Sequence, residues 1–327
     1  MISGHARAIV LLGAQRFDPT LGEAVAELKV EGKIATITAG WQEREEEDDD
    51  LREHLGGRTI NLRLHSRAEE VFRDDEELKE AHREMQTILR HRQDFYRIRM
   101  EHALDAQHVI ENRKAPPDIL EDEARASIQA IRDIDRMHLE RCVRDREEFD
   151  ARLRPLNRPS ITKHIAEIET IMKDCDALAI AGGHVASLLN RLRLFDVRRL
   201  AKGKIVFAWC AGAMAITERI VIFHDSPPHG QGGAEVLDEG LGMAGDVVVL
   251  PQPEFRLKLD DRERIKTMAR RFAPATCLAM PARSRVTWRK RGPDAPHGVI
   301  SLRDDGMHTR FEVSESGVFQ HRGVLGT

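Results

Sequence analysis

The chain has no surplus of basic residues: 51 Lys and Arg stand against 55 Asp and Glu, a formal net charge of −4. Attachment to nucleic acid by phosphate attraction shows a basic excess, so no nucleic-acid partner is expected. There is no apolar run near the ~20 residues needed to cross a bilayer, and the opening stretch 8–13 (AIVLLG) is shorter than a signal-peptide core. Cysteine is scarce and unpaired. Cys142, Cys175, Cys210 and Cys277 lie far apart with no CxxC spacing, which argues against a disulfide framework or a zinc knuckle. His82, His91, His102, His108 and His138 crowd one segment, but none belongs to an HExxH motif, and most should lie on solvated faces. These absences predict a cytoplasmic protein with no membrane partner, no bound metal and no cofactor.

What is present is charge. Charged residues make up 32% of the chain and hydrophobic residues 41%, against typical values of about 25% and about 45–50%. The excess lies between roughly residues 43 and 155. It opens with an acidic run from Glu43 to Asp50, broken only by Arg44, of a kind that is usually solvated and mobile. Two helical patterns follow. The first sets Leu78, Met85, Ile88, Leu89, Phe95, Tyr96, Ile98 and Leu104 among dense Arg and Glu, at spacings that build one apolar stripe. The second sets Ile119, Leu120, Ala124, Ile128, Ile131, Met137, Leu139 and Phe149 in the same way. Pro116 and Pro117 forbid a continuous helix, so an antiparallel helical hairpin is expected. Its stripe can be covered within the pair, by the rest of the chain, or by another subunit. A homodimer or protein partner held through residues 75–153 is expected on this ground.

The flanks alternate strands and helices. Residues 8–13 and 33–39 (KIATITA) read as short buried strands around a helix near 21–28. After the charged block come a helix at 161–173 with Ser160 as N-cap, a strand at 177–181 ending in Gly182 and Gly183, a helix at 185–195 and a strand at 204–209. This order specifies a parallel sheet covered on both faces. Strands are expected at 219–223 and 246–250, a helix at 262–272, and then short strands separated by turns, including Arg303-Asp304-Asp305-Gly306. The reading is an α/β protein in three parts: 1–65 opens the α/β domain, 66–157 is the inserted hairpin, and 158–327 completes the domain with an antiparallel C-terminal extension.

Residues 205–216 (IVFAWCAGAMAI) carry the chemistry. A β-branched and apolar run enters a turn of small residues with a single polar atom at its apex, and an Ala-rich helix follows. That is the strand-to-helix form of a nucleophile elbow, with Cys210 as the projecting nucleophile. Ala211, Gly212 and Ala213 let the backbone approach closely. A helix N-terminus would depress the Cys210 pKa, and the Ala211 N–H would face a developing oxyanion. Gly182 and Gly183, followed by His184, free further N–H groups one strand away. A buried Cys beside Trp209 can equally be a small apolar filler.

Taken in order, LLG near the start, AGGHVASLLNRLR, AWCAGAM, and GLGMAGDVVVLPQPEF followed by RERI resemble the dipeptidase E and cyanophycinase family of serine peptidases. The resemblance covers residues 1–40 and about 160–320 and leaves the hairpin unexplained. It implies a class I glutamine amidotransferase-like, flavodoxin-like three-layer fold. It also implies a hydrolase of a peptide or isopeptide-like amide, or of a small-molecule amide. Carried over by position, the nucleophile is Cys210, the oxyanion donors are the backbones of Gly183 and Ala211, and the general-base position holds Glu254. In that family these positions are Ser and His, so two departures occur together. Cys is compatible with hydrolysis. A carboxylate of ordinary acidity is a poor match for the proton transfers required, so His184, His224 or His229 are candidate replacements. Two other readings stand beside this one. A family member without activity would act as a homodimeric scaffold through its hairpin. Alternatively, CAGAMA also resembles the ThiJ/PfpI group, and a Cys210–Glu254 pair would then serve redox sensing or glyoxalase-type chemistry.

Overall fold

The computed structural model describes residues 6–223, 233–289, 292–313 and 319–323. The candidate bases His224 and His229 lie outside them. The first third of the chain forms β1 (Ala8–Leu12), α1 (Leu21–Glu27), β2 (Lys33–Ile37), α2 (Asp49–His54), β3 (Thr59–Asn61) and α3 (Leu64–Asp74). The hairpin is α4 (Glu76–Glu111) and α5 (Pro117–Leu153). Next come α6 (Pro159–Lys173), β4 (Cys175–Ile180), α7 (Val185–Leu194), α8 (Val197–Leu200), β5 (Ile205–Trp209) and α9 (Ala211–Ala215). The chain then runs through β6 (Arg219–Ile222), β7 (Glu235–Glu239), β8 (Val247–Pro251), α10 (Pro253–Arg256), α11 (Arg262–Phe272) and β9 (Thr276–Met280). The last strands are β10 (Arg285–Arg289), β11 (Gly292–His297), β12 (Ile300–Leu302), β13 (His308–Val313) and β14 (Phe319–Gly323).

Among the described residues the central sheet has the order β11-β10-β1-β5-β4-β2-β3, parallel from β1 to β3 and antiparallel at β10 and β11. Its parallel strands are nearly all apolar because both faces are covered. Alternate residues supply the two cores. Ile9, Leu11, Ile37, Leu178, Ile180 and Val206 face α3, α6 and α7. Val10, Leu12, Ile34, Ala177, Ala179 and Phe207 face α1. The mixed α/β architecture with a long inserted helical region is therefore as the sequence implies.

The C-terminal strands divide between two sheets. β10 and β11 extend the central sheet, whereas β8, β9, β12, β13 and β14 form a second one. β9 pairs parallel to β8, which departs from the all-antiparallel tail expected. The Arg303–Gly306 turn does connect β12 to β13, with Gly306 at φ 79°.

Three local expectations are corrected. Ser160 is not the cap of α6: Arg158 holds that position, and the Ser160 hydroxyl donates to Asp75. The acidic run is not wholly solvated. Glu45 is buried, and its carboxylate accepts the backbone N–H groups of His65 and Ser66, capping α3. The apolar positions of α4 do not form one stripe. Leu78, Met85 and Tyr96 turn inward, while Ile88, Phe95 and Ile98 stay exposed on another side. Of the five histidines in the hairpin, His91, His102 and His108 are exposed, as expected of most of them, whereas His138 is buried against Tyr96, ring centroids 4.3 Å apart, and burial lowers His82 to about 4.

The hairpin is tied to the body by buried polar contacts as well as by apolar burial. Met85, Phe149 and Leu153 join the core above the central sheet, and Tyr96, Met100, Ile128 and Ile131 join a second core with α11 and β8. Inside that second core Arg271 donates to both carboxylate oxygens of Asp135 (2.7 and 2.7 Å), to Tyr96 Oη (2.8 Å) and to the Ala234 carbonyl (2.7 Å). Tyr96 Oη donates to Asp135 (2.8 Å) and accepts from Val236 N–H (2.9 Å), so the cluster links α4, α5, α11 and β7. Asp238 on β7 pairs with both Arg146 of α5 and Arg193 of α7. Asp75, which caps α4, is held down to about 2 by Arg158.

Breaking one member of a buried ion pair leaves its partner as an uncompensated charge. Asp135→Ala is expected to lower unfolding free energy by about 3–5 kcal/mol in urea denaturation. A loss below about 1 kcal/mol would show that the cluster does not hold the hairpin in place.

Candidate active site

The site forms at the carboxyl ends of β2, β4 and β5. The buried run of β5 ends at Trp209, and the chain reverses into α9 through Cys210, whose backbone lies at φ 50°, ψ −121°. A side chain in that region is strained, and the surrounding packing must hold it there. Two glycines do so. A Cβ on Gly182 would lie 2.8 Å from the Cys210 Cβ, and a Cβ on Gly212 would lie 2.4 Å from the Ile180 carbonyl oxygen. The turn after β4 is thus pressed directly against the elbow. A third turn, after β2, closes the group: a Cβ on Gly40 would meet the Gly182 carbonyl oxygen at 2.6 Å, and the His184 N–H donates to the Gly40 carbonyl at 2.7 Å.

This geometry brings Cys210, Gly182, Ala211 and Gly212 together, with Gly183 and His184 on the adjoining turn. Ala211 opens α9, so its N–H has no acceptor within the helix. Gly183 is at φ 121° and packs on Gly40. His184 caps α7: its Nδ1 accepts from the Ser187 N–H (3.2 Å) and lies 2.9 Å from Ser187 Oγ. Gln42 Nε2 donates to the same hydroxyl at 2.9 Å, which leaves the Ser187 proton directed to Nδ1. With Nδ1 accepting, the hydrogen of the uncharged imidazole tautomer lies on Nε2. Its one basic nitrogen is already in use, which removes it from the set of candidate bases.

The Cys210 thiol is partly exposed and, among the described residues, makes no hydrogen bond. Burial pushes it up to about 11, opposed by the positive charge of Arg256. The expected depression by a helix N-terminus is overturned. α9 has only five residues, and desolvation of a thiolate outweighs so short a dipole. Glu254 is exposed in the first turn of α10, two residues before Arg256. No carboxylate among the described residues hydrogen-bonds Cys210, so the Cys–Glu contact required by the redox reading is not formed.

Four contributors escaped the sequence. Arg256 acts on the thiol from α10, and Gly40, Gln42 and Ser187 shape the neighbouring turns. Gln42 has φ 58°, ψ −124°, nearly the conformation of Cys210. The signal for this turn is the small pair Ala39-Gly40 one residue after β2, which parallels Gly182-Gly183 one residue after β4.

No family model matches the chain, and no curated protein matches it. Among solved structures, the crystal structure of a peptidase from an acI-B1 Actinobacterium is similar at 13% identity and a TM-score of 0.42, over 98% of this chain and 95% of that one. A likeness at this level carries no inference about chemistry.

A thiol raised by burial reacts as thiolate only at high pH. Iodoacetamide alkylation of Cys210 should therefore accelerate steadily from pH 7 to 10 with no plateau. Arg256→Gln should slow it further, because the charge that favours the thiolate is lost. A plateau with a midpoint below ~8.5 would contradict this description of the resting site.

Proposed function

We propose that the protein is a Cys-dependent hydrolase of a peptide-like or small-molecule amide. The observation that carries the reading is the strained Cys210 elbow, packed against glycines at the carboxyl edge of a parallel sheet. Strain of this kind is retained where geometry serves chemistry. Cys210 attacks the amide carbonyl through Sγ, and its proton passes to a base, for which Glu254 in the first turn of α10 is the candidate among the described residues. The C–S bond forms while the carbonyl π bond opens, and the oxyanion is met by the N–H groups of Gly183 and Ala211. Collapse breaks the C–N bond, the amine leaves with a proton, and a thioester remains. Water then cleaves the thioester, giving a carboxylic acid and restoring the thiol. His184, fixed as an Nε2–H donor, hydrogen-bonds a substrate carbonyl or carboxylate.

The high resting pKa of Cys210 makes the thiol a poor nucleophile until substrate and base arrive. The same observation favours a second reading, in which the elbow is vestigial and the hairpin carries the function. Hydrolysis of a panel of dipeptide and β-aspartyl amides distinguishes them. The first reading expects turnover that falls at least ~100-fold in Cys210→Ala and at least ~10-fold in Glu254→Gln, with folding unchanged. Turnover equal in Cys210→Ala would exclude Cys210 as the nucleophile.

A further inference from the structure

Where the hairpin meets the α/β body the molecule carries a cleft that the elbow does not use. It has a volume of about 590 Å³, within the range of small-molecule sites, and is walled by α4, α5, α7 and the turn after β7. None of Cys210, Gly182, Gly183, His184 and Ala211 lines it. Phe149, Leu192, Leu194 and Leu241 give it an apolar wall, and His82, kept neutral by burial, adds no charge.

The charged lining carries both signs, and neither is satisfied by the other. Arg146 of α5 and Arg193 of α7 are 12% and 25% exposed and share one oxygen of Asp238. A guanidinium has five N–H groups. Among the described residues Arg146 donates to Asp238 and to the Cys142 carbonyl (3.4 Å), and Arg193 to Asp238 (3.3 Å) and the Glu239 carbonyl (2.6 Å), so each keeps N–H groups to spare. Burial pulls both guanidiniums below their usual range, and burial beside the charge of Arg146 brings Arg193 to about 9. Asp150, one turn beyond Arg146 on the same face of α5, is perturbed in the opposite sense. Partial burial raises it although both arginines act on it, and among the described residues its carboxylate makes no hydrogen bond or ion pair. Glu147, Glu239, Arg154 and Arg198 complete the lining, also without ion pairs among the described residues, while Asp196 is paired with Arg199 (2.8 Å). A simple anion in this space would face Glu147, Asp150 and Glu239, and a simple cation would face Arg146 and Arg193; each would leave charge uncompensated. A ligand bearing one charge of each sign beside an apolar group satisfies both. We propose that the cleft binds a zwitterionic apolar amino acid, its carboxylate on Arg146 and Arg193 and its ammonium on Asp150. The site is built by the hairpin and the body together, and it stands whether or not Cys210 is catalytic.

Isothermal titration calorimetry of the full chain with L-leucine and L-phenylalanine provides the test. Saturable binding of at least one is expected, with equal affinity in Cys210→Ala. Analogues without the ammonium (isocaproate, phenylpropionate) or without the carboxylate (isoamylamine, phenethylamine) should bind at least ~10-fold more weakly. Asp150→Asn should weaken the amino acid at least ~10-fold and leave the acid analogue unchanged, whereas Arg193→Gln should weaken amino acid and acid alike and leave the amine unchanged. Arg193 also holds the end of β7, so the thermal midpoint of its variant is measured alongside; Asp150 has no partner to lose and carries the test alone if Arg193→Gln does not fold. No binding of either amino acid at millimolar concentration overturns the inference. So does binding that is matched by the acid or the amine, that ignores Asp150→Asn, or that disappears in Cys210→Ala and so belongs to the elbow.

Discussion

Everything near Cys210 depends on how closely three turns approach one another at the carboxyl edge of the sheet. Gly40, Gly182 and Gly212 each occupy a place where a Cβ would strike backbone or Cys210 itself, at 2.4 to 2.8 Å. Because protein interiors are close-packed and yield little, these contacts are either all accommodated by glycine or the elbow opens. Their effect is to hold Cys210 in a conformation that an unconstrained chain would leave. The same approach delivers His184 N–H to the Gly40 carbonyl and so sets where α7 begins. The positions of Cys210, of the Ala211 N–H and of the start of α7 at His184 therefore follow from one steric arrangement.

The inserted hairpin is a second layer added to this frame. It enters after α3 and returns before α6, and therefore does not interrupt the parallel strands. Its attachment is polar at the centre of an apolar core. Arg271 is fully enclosed, and its charge is tolerated because Asp135, Tyr96 and a backbone carbonyl occupy its donors. Removing one partner strands the others in the apolar interior, so the cluster ties α4 and α5 to α11 and β7. The inward side of the hairpin is fixed in this way, while Ile88, Phe95, Ile98 and Val109 remain exposed on the outside of α4.

Much of the frame was legible in the sequence because parallel strands buried on both faces read as short, nearly pure apolar runs. β1, β2, β4 and β5 each announce themselves, and Pro116-Pro117 marks the tip of the hairpin. The elbow was legible because small residues around one polar atom have few other uses. Tertiary effects were not legible. Glu45 sits in an acidic run that composition assigns to solvent, yet its carboxylate caps α3 through contacts 20 residues away. The apolar positions of α4 have helical spacing throughout, and spacing cannot say that Tyr96 faces Arg271 while Phe95 faces outward. The acidity of Cys210 is not legible either, because the local helix is visible in sequence and the depth of burial is not. Arg256 and the Gln42–Ser187–His184 chain depend on which loops converge, and no local pattern records that.

The nucleophilic role proposed for Cys210 in acyl transfer can be tested on the protein itself. Its most direct test is intact-mass spectrometry of acid-quenched mixtures with activated aminoacyl and dipeptidyl esters, followed by peptide mapping. A stoichiometric acyl adduct is expected on the peptide containing Cys210, formed within the first turnover and absent from Cys210→Ala. Ester consumption with no adduct at Cys210, or an equal adduct on Cys210→Ala, would contradict it.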